Sequence, residues 1–200
     1  MSAGPRSLMQ EWRTQSSRTV LEFGKFGSVE SHTVQVPDGT VIEDWIWFKT
    51  PSFVNVLARD NELRKWVVFR QVKYGISVAM GGETLASVGG YIEQGEDPLD
   101  AAKRELQEEL GYTSDNWVAL TPSGIVADCN RGCGVGYLFL ALDAVQVERL
   151  ASHDDLEEMH VEYLSTDELA CALHSGQFKG LSWAHVVSLA LLYSAKHNLT

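Results

Sequence analysis

Cysteine is scarce in this chain: Cys129, Cys133 and Cys171 are the only three, with no C-x-x-C pair among them. An odd, scattered set argues against a disulfide framework and a structural zinc site, and it fits a reducing, cytoplasmic compartment. Basic residues are also few. Sixteen Lys and Arg stand against 27 Asp and Glu, for a formal charge of -11. Nucleic-acid and anionic-membrane surfaces both depend on clustered cations, so neither partner is expected. No apolar run reaches membrane-spanning length; the most apolar late stretch, 183–193, is broken by His185 and Ser188. The first twenty residues hold no signal-peptide core, while Arg6, Arg13 and Arg18 among serines, with Glu11 as the one acid there, leave an organelle transit peptide as a second reading. Repeats and low-complexity linkers are absent as well. What remains is a chain of 200 residues, 44% hydrophobic and 22% charged, the make-up of an ordinary globular protein with room for a substantial core. Its acidity still permits a small phosphate ligand, which a divalent cation can bring to carboxylates.

Residues 1–17 read as a flexible N-terminus and 18–49 as an extended β arm. Within the arm, 29–36 and 41–48 are β-rich runs parted by Pro37-Asp38-Gly39, a strong turn signal. Residues 50–200 form the main domain, with strands expected at 53–58, 66–72, between Gly82 and Gly89, and at 118–120, 137–142 and 161–164. The clearest helix is 97–110. Asp97 suits its cap, Pro98 its first turn and Gly111 its exit, while Leu99, Ala102, Leu106 and Leu110 recur at core spacing. Ser165-Thr166-Asp167-Glu168 has capping-box spacing and opens a helix to about 174; another runs from Ser182 to about 197. Strands early, one helix between them and two helices late imply an α/β fold, a mixed sheet flanked by helices.

Glu105, Glu108 and Glu109 lie within about 100° of one another on the central helix, turned away from its leucines. Like charges at i,i+3 and i,i+4 cost a few tenths of a kcal/mol per pair, a sign that a hard divalent cation reverses. The plainer reading is a solvated glutamate face. A wider pattern overrides it. From Gly90 the chain reads GYIEQGEDPLDAAKRELQEELGY. Gly90, Glu96, Arg104, Glu105, Glu108, Glu109 and Gly111 occupy, without a gap, the fixed positions of the Nudix box, here residues 90–112. Seven such identities arise by chance in under about one in a million chains of this size. The chain thus resembles the Nudix hydrolase superfamily, and Tyr112 is the one soft spot, where the family prefers an aliphatic residue.

The resemblance implies an α/β/α sandwich that hydrolyses a nucleoside diphosphate linked to another moiety, with magnesium or manganese as cofactor. It implies Glu105, Glu108 and Glu109 as metal ligands, Glu105 and Glu109 also as catalytic, and the Gly89 carbonyl as a further ligand. Glu96 and Arg104 would pair to hold the loop against the helix.

Outside the box, the N-terminal arm, the run from Trp66 to Val72 and the segment 157–164 look like the ADP-ribose pyrophosphatase group. In that group N-terminal strands swap between two subunits, so a homodimer through the arm is implied, with a small-molecule nucleotide as substrate. A loop carboxylate before the last strand assists catalysis there. Glu157 aligns with it and Asp155 is the second choice; the alternative is a solvated acidic loop. Trp45 and Trp47 share one strand face, for stacking against adenine or for packing. Arg70 would reach the diphosphate, or else is a solvated strand-end arginine. Asn130 and Arg131 lie in a glycine-containing loop, 128–136, that would wrap a phosphate or sugar or simply form a turn. Ala86 stands where the group often has a glutamate. ADP-ribose or a related ADP-sugar is the expected substrate. The alternatives are another nucleotide sugar or dinucleotide, and a catalytically silent nucleotide-binding sensor.

Overall fold

The structure, a computed structural model, describes residues 9–150 and 158–199. The chain divides into two compact units. The first holds the described residues up to Pro51 together with Asp128–Gly134. Three strands, β1 (Arg13–Glu22), β2 (Ser28–Gln35) and β3 (Val41–Lys49), make an antiparallel meander, and Gly132 pairs in parallel with Phe48 at its edge. The β2–β3 turn follows from its residues. The Asp38 carboxylate accepts the Thr40 N–H at 2.8 Å, and Gly39 takes a φ of +91° that a side chain would resist. Strand β1 begins at Arg13, inside the stretch 1–17 expected to be flexible. Its polar first half carries no alternation that would announce a strand, and every one of its residues is exposed. Backbone pairing with β2, from Arg13 opposite Gln35 to Glu22 opposite Ser28, orders it instead.

The second unit holds Ser52–Ala127 and the described residues from Val135 onward. In chain order its elements are β4 (Phe53–Asp60), β5 (Trp66–Gln71), α1 (Tyr74–Ala79), β6 (Thr84–Ala86), β7 (Val88–Tyr91), α2 (Pro98–Leu110), β8 (Tyr112–Thr113), β9 (Asn116–Ala119), β10 (Ile125–Asp128), β11 (Gly132–Gln146), β12 (His160–Leu164), α3 (Thr166–His174) and α4 (Leu181–His197); Asp128 and the first three residues of β11 group with the first unit. The sheet runs β9-β11-β4-β5-β12. Only β11 and β4 are parallel there, while β7 pairs with the first half of β4 and β6 lies beside β5. Helix α1 was not expected from the sequence: it is six residues long and has no side-chain cap.

Alternation along the central strands sorts the core into two faces. Val54, Val56 and Ala58 of β4 and Phe139 and Ala141 of β11 pack with Ala101, Ala102, Leu106 and Leu110 of α2. On the other face Leu57, Leu138, Leu140 and Leu142 pack with Leu169 of α3 and Val186, Val187 and Ala190 of α4. The result is the expected α/β/α sandwich. The two faces differ in grain. Beneath α2 lie Ala58, Ala86, Ala141 and Ala144, met by Ala101 and Ala102 from the helix, so helix and sheet approach closely. Among the described residues no helix is long and apolar enough to cross a membrane.

Candidate active site

Helix α2 is fixed at both ends by the residues that announced it. The Asp97 carboxylate accepts the Leu99 N–H at 2.8 Å, Pro98 opens the first turn, and Gly111 closes the helix at φ +66°. Tyr112, the soft spot of the motif, is 2% exposed, and its hydroxyl donates to Asp60 at 2.8 Å. An aromatic ring is thus accepted there because Asp60 satisfies its polar tip.

The outward face of α2 is far from a solvated glutamate stripe. Side-chain exposure is only 13% at Glu105 and 25% at Glu108. Arg104 organises the cluster. Its Nε and Nη2 donate to the two carboxylate oxygens of Glu96 at 2.9 and 3.0 Å, and Nη1 donates to Glu105 at 2.7 Å and Glu108 at 3.1 Å. Nη2 also reaches the Tyr91 carbonyl at 3.1 Å, tying the loop to the helix. These bonds, first of all the one to Glu96, hold the guanidinium above its usual pKa, and in return Arg104 lowers that of Glu96. Glu105 moves the other way: burial raises its pKa, and the Arg104 bond offsets only part of the rise. Backbone glycines complete the site. A Cβ on Gly90 would lie 2.0 Å from Glu105 Oε1, so the carboxylate occupies the room that the glycine leaves. The Gly89 N–H donates to Glu109 Oε2 at 3.2 Å.

Among the described residues no three acidic, His or Cys side chains already stand as a metal-holding group. The reason is visible in the bonds: Arg104 draws Glu105 and Glu108 to itself, and Glu109 turns to Gly89. One guanidinium against three carboxylates leaves net negative charge on those four groups. With oxygen donors one helical turn apart, the residues present fit a hard divalent cation.

The other residues singled out in the sequence are placed as follows. Arg70 is engaged by Glu162, with Nε to Oε1 at 2.7 Å, and by Gln177 at 3.3 Å, and the Glu162 bond raises its pKa. In the first unit, Trp45 and Trp47 line an open cleft of about 370 Å³. Trp12 packs edge-on against Trp45 with ring centroids 5.4 Å apart, and Trp45 Nε1 donates to the Asn130 carbonyl at 2.7 Å. His32 stacks on Trp47 at 5.7 Å and bonds Glu30 at 2.9 Å. Trp12 and His32 escaped sequence reasoning, although His32 sits opposite Trp45 once the β2–β3 turn fixes the register. Arg131 does not line the cleft; it is 62% exposed and 3.7 Å from Asp128. Glu157 and Asp155 lie outside the described residues.

Comparison with known proteins follows the same lines. No curated protein has a significantly similar sequence. A solved structure described as "Crystal structure of ADP compounds hydrolase" matches with a TM-score of 0.78 at 17% identity, over 96% of this chain and 98% of that one, which establishes a shared fold. A family model described as NUDIX domain matches residues 49–184, and those residues contain the Arg104-centred carboxylate helix and its glycines. The chain therefore belongs to the NUDIX domain family and is a Nudix hydrolase.

Proposed function

We propose that the protein is a magnesium- or manganese-dependent pyrophosphohydrolase that cleaves the diphosphate of a nucleoside diphosphate sugar, ADP-ribose or a related ADP-sugar. For ADP-ribose the products are AMP and ribose 5-phosphate. The observation that carries the proposal is the close fit of Gly90 against the Glu105 carboxylate, inside a cluster that Arg104 holds together. A carboxylate face meant only for solvent would need neither the missing side chain nor the guanidinium bridge. The ADP-linked substrate is supported by the fold shared with a hydrolase of ADP compounds.

Glu105, Glu108 and Glu109 hold the cation together with the Gly89 carbonyl. When bound, the cation neutralises pyrophosphate charge and lowers the pKa of water. Arg104 keeps Glu105 and Glu108 aligned, and Glu96 keeps Arg104 in place. Glu157, with Asp155 as second choice, takes the proton from the attacking water. Trp45 and Trp47, joined by Trp12 and His32, offer ring faces in a cleft large enough for adenine. Arg70 and Arg131 serve diphosphate and sugar by exchanging carboxylate partners that they already hold. The protein acts as a homodimer through its N-terminal strands, so light scattering at micromolar concentration gives twice the 22.2 kDa chain mass.

The test is product release from ADP-ribose, ADP-glucose, UDP-glucose, GDP-mannose, NADH and diadenosine polyphosphates, with wild type beside Glu109→Gln. Turnover of an ADP-sugar is expected, falling at least about 100-fold in the variant while its melting temperature holds. Silence of the wild type with both metals, combined with nucleotide binding, would overturn the proposal in favour of a sensor.

A further inference from the structure

We infer that Asn55 is a positioning residue for the carboxylate helix, acting through the peptide that joins Val88 to Gly89. The inference rests on Gly89 and Glu109 facing the metal, as proposed above. Asn55 is the third residue of β4, 3% exposed, in a run whose neighbours Val54, Val56 and Leu57 are fully buried and apolar. Its side-chain Nδ2 donates to the Val88 carbonyl at 3.2 Å. The N–H of that same peptide unit, on Gly89, donates to Glu109 Oε2 at 3.2 Å. One peptide plane is therefore gripped at its oxygen by Asn55 and aimed at its hydrogen toward Glu109.

Two further observations bind Asn55 to this task. The strands pair Asn55 directly with Gly89, and a Cβ on Gly89 would fall 2.1 Å from Asn55 Nδ2. The glycine at 89 thus leaves the space that the Asn55 amide fills. Orientation of that amide follows from chemistry, since its oxygen cannot accept from the Val88 carbonyl. The other end of the side chain, Oδ1, is buried and has no hydrogen-bond partner among the described residues. A leucine here has the same branching at Cγ and, though bulkier, leaves no orphaned oxygen, so Asn55 weakens β4 locally. Its return lies one peptide away. A donor on the Val88 oxygen polarises the peptide and strengthens the Gly89 N–H as a donor to Glu109, which fixes the carboxylate and the adjoining Gly89 carbonyl together.

Asn55→Leu and Asn55→Ala test this beside the wild type. Three quantities are read: the amide proton shift of Gly89 in metal-free ¹⁵N-labelled protein, the affinity for Mn²⁺ alone by electron paramagnetic resonance, and kcat and KM. The Gly89 proton should move upfield in both variants. Mn²⁺ affinity and kcat should each fall about tenfold, the usual consequence of losing a group that orients a ligand, with KM within about twofold. Asn55→Leu should melt at or above the wild-type temperature, a combination that a purely structural asparagine would not give. Asn55→Ala, which adds no bulk, carries the same readouts if leucine is not accommodated. An unmoved Gly89 shift, or Mn²⁺ affinity and kcat within about twofold of wild type in a folded variant, would overturn the inference. Failure of the wild type to bind Mn²⁺ would instead overturn the metal assignment, and the Gly89 shift, which needs no metal, separates the two.

Discussion

A methyl group at residue 90 would sit 2.0 Å from Glu105 Oε1 and 2.2 Å from its Cδ, closer than atoms can stand. The Glu105 carboxylate would have to swing away, taking with it the 2.7 Å bond from Arg104. Gly90→Ala should therefore lower kcat by about 100-fold, the scale of a misplacement near 1 Å in a reacting group. It should also lower the melting temperature, and that loss should shrink in a Glu105→Ala background, where the three atoms nearest the added methyl are gone; thermal melts of the four proteins check it. Arg104→Lys is a second test. Lysine keeps the charge but cannot bridge Glu96 with two parallel bonds while reaching Glu105 and Glu108. Urea unfolding should show a loss of about 1–3 kcal/mol, of the order of one or two charge-assisted bonds in a partly exposed site.

Among the elements, α3 carries the most sharply defined end. Ser165 Oγ accepts the Glu168 N–H at 3.2 Å, and Glu168 accepts the Ser165 N–H at 2.8 Å. Ser165→Ala should cost about 1 kcal/mol by chemical denaturation. The pH dependence has a definite sign. The Ser165 N–H bond lowers the Glu168 pKa in the folded chain, so the cap contributes fully above the ordinary carboxylate range and is lost as pH falls through the lowered value. Glu168→Gln should flatten that part of the stability–pH curve, measured between neutral and acid pH. The same chemistry explains which elements were legible before the structure. Helices α2 and α3 state their limits in Asp97, Pro98, Gly111 and the Ser165–Glu168 pair. Helix α1 has Lys73 at its start and Met80 at its end, neither with a capping side chain, and glycines at 75, 81 and 82 crowd it. Strand β1 is exposed on both sides, so no burial imposes a period-two pattern on its sequence.

On the scale of the whole molecule, the carboxylate site was readable because its parts lie in one continuous stretch, from Gly89 to Gly111. The aromatic cleft was only half readable. Its walls come from Trp12, β2, β3 and a segment near residue 130, and Trp45 meets the Asn130 carbonyl across 85 positions of chain. Asn55 was hidden by its setting, a polar residue in an apolar strand whose partner peptide lies 33 residues away. The first unit has a further property: Val34 is its one buried apolar residue among those described. A small sheet with so little burial does not hold its amides closed by itself. If a second copy covers it, as proposed, hydrogen exchange in Arg13–Glu22 should slow as protein concentration rises. Protection that is flat across the dimerisation range would remove the arm from the interface.

The alanines beneath α2 have a consequence for how this enzyme's rate can drift. Ala101 and Ala102 of α2 and Ala141 and Ala144 of β11 share one thin packing layer between the carboxylate helix and the sheet to which β7, with Gly89 and Gly90, is joined through β4. Thickening that layer by a methyl or two would tilt or lift the glutamates relative to Gly89 and Gly90, although every residue at the reacting surface stayed the same. Catalytic tuning is thus available from underneath, through changes that a survey of the pocket walls would pass over as neutral packing.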